Sequence, residues 1–225
     1  MQEYDRIKNV QSAGAMAASV LPPIAAWLAA RSIARGLPAP VVDCGGYRVD
    51  VNSADEVQRW VFPTVTEDLA ALARSISRPA YMVKACAAPE ELRAALPNGW
   101  QIHAPGYFMA GPDLPHARPA CPPSYTVETN CTGAVTEVLV LSANGELAAS
   151  GYAAETEHIF IYDRIVTAPE HQRRGLGRLL MATLRDAKRG ASTPERLVAT
   201  EEGRALYEAL GWRTLSAFST GSIAA

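Results

Sequence analysis

The sequence has no large excess of charge of either sign and no closely spaced pair of cysteines. Its 225 residues contain 21 Lys and Arg against 23 Asp and Glu, a formal net charge of −2. We therefore expect no binding to nucleic acid or to an anionic membrane, since both need a basic surface. The four cysteines form no C-x-x-C pair. Their scatter argues against a metal site or a disulfide framework and favours reduced thiols in the cytoplasm.

The sequence also lacks an uninterrupted apolar run long enough to predict a membrane span. Residues 12–30 carry no charge, but Pro22 and Pro23 interrupt them, and the preceding residues lack the basic excess of a signal peptide. We therefore expect neither a cleaved signal nor a membrane span. The pattern predicts a loose lead-in of about twenty residues, then a helix that begins at Pro22 or Pro23 and ends near Arg35, before Gly36.

Five prolines between residues 111 and 123 indicate a connection between two parts of the chain, and no internal repeat is visible. We predict an N-terminal α+β region over residues 1–120 and a second region over residues 121–225. Ser53 followed by Glu56 is a capping-box pattern and predicts a helix over residues 54–61. The other elements predicted for the first region are a hairpin around Cys44-Gly45-Gly46, a helix over 65–77, a strand over 81–86, a short helix over 89–96 and extended chain over 100–109.

The second region has clearer signals, with Asn144-Gly145 predicting a tight hairpin turn. The strands predicted there cover residues 125–128, 135–141, 146–154, 158–167, 196–200 and 213–218, and the helices cover residues 175–188 and 201–210. Residues 166–180 form a strand, a basic turn and an amphipathic helix in succession. The free N–H groups of such a helix start attract anions, and Gly175 and Gly177 let a phosphate approach the backbone. Arg173, Arg174 and Arg178 add positive charge.

The spacing Gln172-x-x-Gly175-x-Gly177 resembles the acyl-CoA pyrophosphate loop of the GNAT N-acyltransferase superfamily. Residues 197–212 resemble the fifth strand and last helix of that family, including its "LYExLGW" ending. The resemblance covers about residues 132–217. It implies an α/β (α+β) fold with a central mixed, mostly antiparallel sheet flanked by helices, here carrying an N-terminal α+β extension.

One feature departs from the family pattern. Two helices normally lie between the first two strands of the core and form one wall of the acceptor pocket, but residues 125–128 and 135 leave no room for them. Either residues 125–128 are not the first strand, or the helices predicted within residues 54–77 fill that place from earlier in the chain.

The resemblance implies a site for acetyl-CoA as acyl donor. Backbone N–H groups from Arg173 to Arg178 would bind the pyrophosphate, and backbone groups of residues 165–167 the pantetheine arm. An N–H near Ile165 or Val166 would polarise the thioester carbonyl. Thr200 stands where the family usually has asparagine, and it can cap the following helix. The implied donor-site residues are Ile165, Val166, Thr167, Gln172, Arg173, Arg174, Gly175, Leu176, Gly177, Arg178 and Thr200.

Two side chains are candidates for the proton transfers. Tyr207 matches the family tyrosine that protonates the leaving thiolate, which a phenol can do because its pKa is above that of a thiol. The alternative is packing of the last helix on the sheet. Asp163 is the first candidate for the general base, with a surface ion pair to Arg164 as the alternative. Glu157 and His158 are the second candidates. We expect His171 to be solvent-exposed and Cys131 to have no nucleophilic role.

The sequence therefore predicts an N-acetyltransferase in which an amine attacks acetyl-CoA directly in a ternary complex, without a metal. The alternatives are a CoA-binding regulator without turnover and an acyltransferase for a longer acyl-CoA. The partners expected are acetyl-CoA, an amine acceptor and, from the resemblance, a second copy of the chain. The N-terminal region should cover the acceptor side of the sheet. Its aromatic residues, for which core packing is the stronger explanation, are Trp60, Phe62, Tyr81, Trp100, Tyr107 and Phe108.

Overall fold

The computed structural model describes residues 23–114 and 117–224. Within them, twelve strands form one mixed sheet and five α-helices pack on it, which confirms the predicted α/β class. The N-terminal half, up to residue 114, contains α1 (Pro23–Ala34), β1 (Val41–Asp43), β2 (Gly46–Asp50), β3 (Gln58–Phe62), α2 (Glu67–Ser75), β4 (Tyr81–Ala85), α3 (Pro89–Ala95), β5 (Trp100–Ile102) and β6 (Gly106–Ala110). The C-terminal half, from residue 117, contains β7 (Tyr125–Thr132), β8 (Val135–Ser142), β9 (Leu147–Glu155), β10 (Phe160–Thr167), α4 (Leu176–Asp186), β11 (Glu195–Thr200), α5 (Glu201–Ala209) and β12 (Arg213–Ile223).

The two halves repeat one order of elements, although the sequence shows no repeat. In each half a hairpin leads to a strand, a helix, a strand parallel to the previous one, a second helix and a final strand. The parallel pairs are β3 with β4 and β10 with β11, and α2 and α4 are the helices that connect them. The remaining pairs are antiparallel, so the sheet is mostly antiparallel, as predicted.

The final strands of the two halves are interleaved at the centre of the sheet. Along the sheet the strands follow the order β1-β2-β3-β4-β12-β6-β11-β10-β9-β8-β7, and β5 pairs with β12. Thus β12 of the C-terminal half lies against β4, and β6 of the N-terminal half lies against β11. Each half therefore completes the sheet of the other. The two halves cannot separate without breaking backbone hydrogen bonds between strands.

Helices α1 and α4 cover opposite faces of the sheet. Successive side chains of a strand point to opposite faces, and in β10 Phe160 and Tyr162 join the cluster that contains Leu180 of α4. Ile161, between them, joins the cluster that contains Trp27 and Leu28 of α1. A third cluster fills the N-terminal half beneath α2 and α3.

Helix α1, from earlier in the chain, covers a face of the C-terminal strands that no helix between residues 128 and 135 covers. It begins at Pro23, one of the two predicted starts, and ends at Ala34 before Gly36, whose φ is +62°. It packs on β9, β10 and β3, the face opposite α4. The expectation that helices within residues 54–77 fill this place is wrong, because α2 packs instead in the core of the N-terminal half.

The helix predicted over residues 54–61 is also wrong. The Ser53 hydroxyl does accept a hydrogen bond from the Glu56 N–H at 3.1 Å, but this bond closes a turn and no helix follows. Residues 58–62 form β3, where Trp60, Val61 and Phe62 are buried between β2 and β4. Aromatic and β-branched side chains favour such a strand, and tertiary pairing overrides the local capping signal.

The predicted loose lead-in lies outside the described residues. Most of the uncharged stretch over residues 12–30 lies outside them too. Among the described helices, none combines the length and apolar character that crossing a membrane requires.

Candidate active site

Strands β10 and β11 separate and open a cleft in the C-terminal half. They pair in parallel only through Phe160 with Glu195 and Ile161 with Arg196. Beyond this point a cleft of about 950 Å³ lies between β10, the start of α4 and α5. All eleven residues predicted for the donor site line it. Their contact with a ligand remains a prediction.

A bulge in β10 shapes one side of this cleft. The register with β9 shifts between Asp163 and Val166, and Arg164 has a φ of +54°. After the bulge Val166 and Thr167 pair with β9 again, whereas no described strand pairs with them on the β11 side. Backbone groups on that edge are therefore available to a bound chain, because a strand edge can pair with an extended ligand.

The glycine turn presents the uncapped start of α4 to the cleft. Gly175 is the residue before the helix and has a φ of +79°, which favours glycine. Arg173 also has a positive φ, of 60°. No side chain caps α4, and its first turn holds no acidic residue. Its first N–H groups and the positive end of its dipole therefore suit an anion.

The second glycine has a packing role. A Cβ at Gly177 would lie 2.9 Å from Cδ2 of Leu206 on α5. A side chain at position 177 would therefore displace the end of the Leu206 side chain, which packs against this glycine. This contact adds a structural reason for the glycine to the predicted access for phosphate.

Other side chains in and around the turn hold it in place. The Arg174 guanidinium donates to the Tyr125 hydroxyl at 3.0 Å and to the Glu170 carbonyl at 3.1 Å. The same hydroxyl lies 3.1 Å from Nδ1 of His171. His171 is buried, so its expected exposure is wrong. Gln172 donates a long hydrogen bond, 3.4 Å, to the Thr167 carbonyl.

The three arginines of the turn differ in the hydrogen-bond partners that already hold their side chains. Arg174 is engaged by Tyr125 and Glu170, as above. Arg173 and Arg178 are exposed on the wall of the cleft and make no side-chain hydrogen bond within the described residues. These two guanidinium groups are positioned to add positive charge beside the α4 N-terminus.

On the other side of the cleft, Thr200 ends β11 and caps α5, and α5 carries Tyr207. The Thr200 hydroxyl accepts from the Gly203 N–H at 3.1 Å, so its predicted capping role is confirmed. Tyr207 is buried, with its ring centroid 6.0 Å from that of Trp212. Burial raises the pKa of the Tyr207 phenol. The phenol is therefore protonated at neutral pH and retains a proton to donate.

A second pocket, of about 250 Å³, lies on the α1 side and meets the cleft at α5. Four residues line both cavities: Ile165, Thr200, Gly203 and Tyr207. Its other walls include Trp27, Arg31, Arg35, Lys84, Asp163 and Phe218. Sequence reasoning missed the part of this pocket that comes from α1, β4 and β12, because these elements carry no local motif.

Asp163 lies in this second pocket at the centre of three arginines. Its carboxylate accepts hydrogen bonds from Arg35 at 2.6 and 2.9 Å and from Arg31 at 3.4 Å, and Nε of Arg164 is 3.5 Å away. Burial alone would raise the pKa of Asp163, but these partners bring the pKa below its ordinary value. A lower pKa weakens Asp163 as the predicted base, a role that remains a prediction.

The other residues predicted to act lie outside both cavities. Glu157 and His158 are exposed on a bend before β10, at the end of the strand away from the glycine turn. Trp60, Phe62 and Trp100 belong to the core of the N-terminal half, and Phe108 packs against Trp27. Core packing is thus confirmed for these four aromatic residues, while the aromatic walls of the second pocket come from elsewhere.

Comparisons with known proteins agree with this arrangement. Residues 134–214 match the family profile described as an acetyltransferase (GNAT) domain. This match confirms the predicted GNAT resemblance over 81 of the 225 residues, all of them in the C-terminal half. A search of curated protein sequences found no significant match.

Solved structures extend the likeness in fold beyond this domain. A GCN5-related N-acetyltransferase from Kribbella flavida is 15% identical, with a TM-score of 0.64 over 91% of this chain and 97% of that one. One from Sphaerobacter thermophilus is 13% identical, with a TM-score of 0.53 over 80% and 78%. A tandem GNAT protein from the clavulanic acid biosynthesis pathway is 17% identical, with a TM-score of 0.50 over 69% and 68%.

Proposed function

We propose that this protein is an N-acetyltransferase that moves the acetyl group of acetyl-CoA to the amine of a small acceptor. The observation that carries the proposal is the junction of two cavities at Tyr207. One runs from the uncapped start of α4 along the free edge of β10, and the other opens on the α1 side. Such a junction brings a donor and an acceptor together from opposite sides, as direct transfer in a ternary complex requires.

The donor binds along the cleft in this proposal. Its diphosphate lies at the N–H groups of the α4 start, with Arg173 and Arg178 beside it. Its pantetheine arm follows the edge of β10 at residues 165–167. The N–H of Ile165 or Val166 donates to the thioester oxygen and stabilises the negative charge that develops there.

The chemical step then needs one bond to form and one to break. The neutral amine attacks the thioester carbonyl carbon, and the C–S bond breaks as the amide forms. The departing thiolate takes the proton of the Tyr207 hydroxyl, and the proton released by the amine nitrogen returns to the tyrosine through water. The position of Tyr207 at both cavities supports this role. Burial raises the pKa of the phenol, which keeps it protonated at neutral pH but also makes it a weaker acid.

Removal of the first proton, from the substrate ammonium, is assigned to Asp163 or to water. The arginines around Asp163 oppose the first assignment by lowering its pKa. Asp163→Asn separates them through kcat/KM at neutral pH. If Asp163 is the base, kcat/KM falls roughly 100-fold or more. If water takes the proton, kcat/KM stays near the parent value.

A second donor site in the N-terminal half is not part of this proposal. The parallel strands β3 and β4 pair over five positions, from Gln58 with Tyr81 to Phe62 with Ala85. They leave no opening like that between β10 and β11. The connection between Phe62 and α2 also contains no glycine. We infer one donor site per chain, with the N-terminal half contributing to the acceptor side.

Cytoplasmic location and a homodimer belong to the same proposal. A CoA-dependent reaction requires a compartment that contains CoA, and the dimer follows from the family resemblance alone. Size-exclusion chromatography with light scattering tests the dimer, since a mass near the chain mass of 24.0 kDa would contradict it.

Calorimetric titration with acetyl-CoA, free CoA and a longer acyl-CoA tests the function. Binding of acetyl-CoA in the micromolar range, followed by acetylation in an amine screen, supports it. Preference for the longer thioester favours the alternative acyl donor. Tight CoA binding without turnover on any amine favours a regulator, an alternative supported by the ion pairs that occupy Asp163. No binding of any CoA species would overturn the proposal.

A further inference from the structure

The second pocket, on the α1 side, is called the acceptor-side pocket because the proposed function places the acceptor there. It is rich in cationic side chains. Arg31 and Arg35 reach it from α1, Lys84 from β4 and Arg164 from the bulge of β10. Asp163 is the one carboxylate among the described residues that line it. Three of these four cations, those of Arg31, Arg35 and Arg164, already form ion pairs with that carboxylate.

Carboxylates near the pocket do not balance these charges. Asp163 is shared by Arg31, Arg35 and Arg164. Glu56, behind Lys84, is shared between Lys84, at 3.5 Å, and the buried Arg59. Glu137, close enough to Arg164 for that guanidinium to lower its pKa, is the third carboxylate. Five cations therefore share three carboxylates, which leaves an excess of positive charge at the pocket.

The excess is carried by side chains with little access to water. The side chains of Arg31 and Lys84 are only 17% and 15% exposed. Burial is the main reason that the pKa of each lies below its ordinary value, and each is also lowered by a neighbouring arginine. Buried charge without a full complement of counter-charge is costly. An anionic group in the pocket would offset that cost.

The pocket also limits the size of what it can hold. Its volume of about 250 Å³ is below the roughly 300–1,000 Å³ of sites for drug-sized ligands. Trp27 and Phe218 supply apolar surface beside the cations, with their ring centroids 5.6 Å apart. The occupant is therefore a small molecule with an anionic group and an apolar portion.

We propose that the acceptor is a small amine that also carries a carboxylate, an α-amino acid being the simplest case. Its carboxylate binds Arg31 and Lys84, and its amine faces the junction at Tyr207 and Ile165. This inference rests on the proposed acetyl transfer. The same positive field disfavours the ammonium form of the substrate and so eases loss of its proton. It also disfavours polycationic acceptors such as polyamines.

The first test compares acceptors that differ only in the carboxylate. The common L-amino acids and their carboxamides are assayed with acetyl-CoA, and the polyamine spermidine is included. We expect kcat/KM for the best acid to exceed that of its carboxamide by roughly tenfold or more, the range for losing a hydrogen bond to a charged partner. Equal or better turnover of carboxamides, of spermidine or of amines bearing a phosphate would overturn the inference.

The second test removes the cations one at a time. Arg31→Gln and Lys84→Gln should each raise KM for the acid roughly tenfold, with little change in KM for the carboxamide or for acetyl-CoA. Lys84→Gln keeps the proposal testable if Arg31→Gln does not fold, because Lys84 makes no contact with Asp163. The control is Arg74→Gln, which removes one exposed charge from α2, outside the pocket. Variants that raise KM equally for the acid and for its carboxamide would contradict the inference.

Titration of the intact protein with acetyl-CoA distinguishes a failure of the carboxylate inference from a failure of the acetyltransferase function. If acetyl-CoA binds and only uncharged or cationic amines are acetylated, the carboxylate inference fails and the acetyltransferase function stands. If no CoA species binds, the proposed function fails first. Calorimetric binding of the preferred acid to the CoA complex, weakened in Lys84→Gln but not in Arg74→Gln, supports the inference independently of turnover.

Discussion

The guanidinium group of Arg35 donates two hydrogen bonds to the carboxylate of Asp163, at 2.6 and 2.9 Å. This pair fastens the end of α1, near the start of the described chain, to the bulge of the strand that leads to the glycine turn. The Asp163 carboxylate thereby joins the α1 wall of the second pocket to the β10 edge of the cleft.

Asp163→Asn should lower the free energy of unfolding by about 2 kcal/mol at pH 7, because it leaves the partly buried Arg31 and Arg35 without their charged hydrogen-bond partner. Urea unfolding measures the change. The matched control is Asp186→Asn, which breaks an ion pair with Arg118 whose side chains are about half exposed. It should change stability by less than about 1 kcal/mol. Equal effects of the two substitutions would contradict the structural role of Asp163.

The stabilisation by Asp163 should also depend on pH in one direction. The fold lowers the pKa of this carboxyl, so its ionised form stabilises the fold above the ~3.9 typical of an unfolded aspartate. The contribution is lost as the pH falls through the lower folded value. The difference in unfolding free energy between parent and Asp163→Asn should therefore be constant from pH 7 to 5 and shrink below about pH 4. A difference that grows on acidification would refute this sign.

The sequence predicted best where its signals are local. The strand, glycine turn and helix around Gly175 lie within 27 consecutive residues, so capping, periodicity and turn chemistry suffice to predict them. The end of β12 shows the opposite case. Residues 213–218 were predicted as a strand, but β12 continues to Ile223 because Ser219–Ser222 pair with β4 of the other half.

The acceptor-side pocket could not be predicted for the same reason. Its cations stand at positions 31, 35, 84 and 164, which only the interleaved sheet and the packing of α1 bring together. The capping-box pattern at Ser53 likewise predicted a helix. No local signal indicates that residues 58–62 pair with β2 and β4 in the sheet.

Interleaving of β6 and β12 predicts that the chain unfolds as one unit. Neither half can lose its structure without exposing the strand of the other. Thermal unfolding followed by tryptophan fluorescence and by far-UV circular dichroism should give coincident transitions. The tryptophans report on both halves, since Trp60 and Trp212 lie in different cores. Two separate transitions would show that the halves are independent domains.

Gly175→Ala should weaken donor binding more than its added volume explains. An alanine at a φ of +79° costs roughly 1–2 kcal/mol, and relief of that strain turns the N–H groups at the start of α4 away from the cleft. Gly175→Asn should be milder, because asparagine tolerates this conformation better. Calorimetric titration with CoA and urea unfolding measure both effects. A larger loss for asparagine than for alanine would show that space, and not backbone conformation, requires the glycine.

The double variant Arg173→Gln/Arg178→Gln should weaken CoA binding about tenfold, since both guanidinium groups line the cleft without other partners in the described chain. The loss should diminish at high salt. Binding of acetyl-pantetheine, which lacks the diphosphate, should not change. Arg74→Gln serves as the charge control. A loss of affinity for acetyl-pantetheine equal to that for CoA would place the effect outside the diphosphate site.

Tyr207→Phe should separate catalysis from packing. Phenylalanine preserves the ring that packs against Trp212 but removes the hydroxyl that we propose protonates the thiolate. We expect kcat to fall roughly 100-fold, the lower range for loss of a general acid, while KM for acetyl-CoA and the unfolding free energy stay near parent values. Tyr81→Phe, on β4 outside both cavities, is the matched control and should keep full kcat. Stopped acetylation assays with a thiol-reactive dye measure CoA release for all three proteins. A Tyr207→Phe enzyme with parental kcat would assign the tyrosine to the core alone, and the thiolate would then leave with a proton from water.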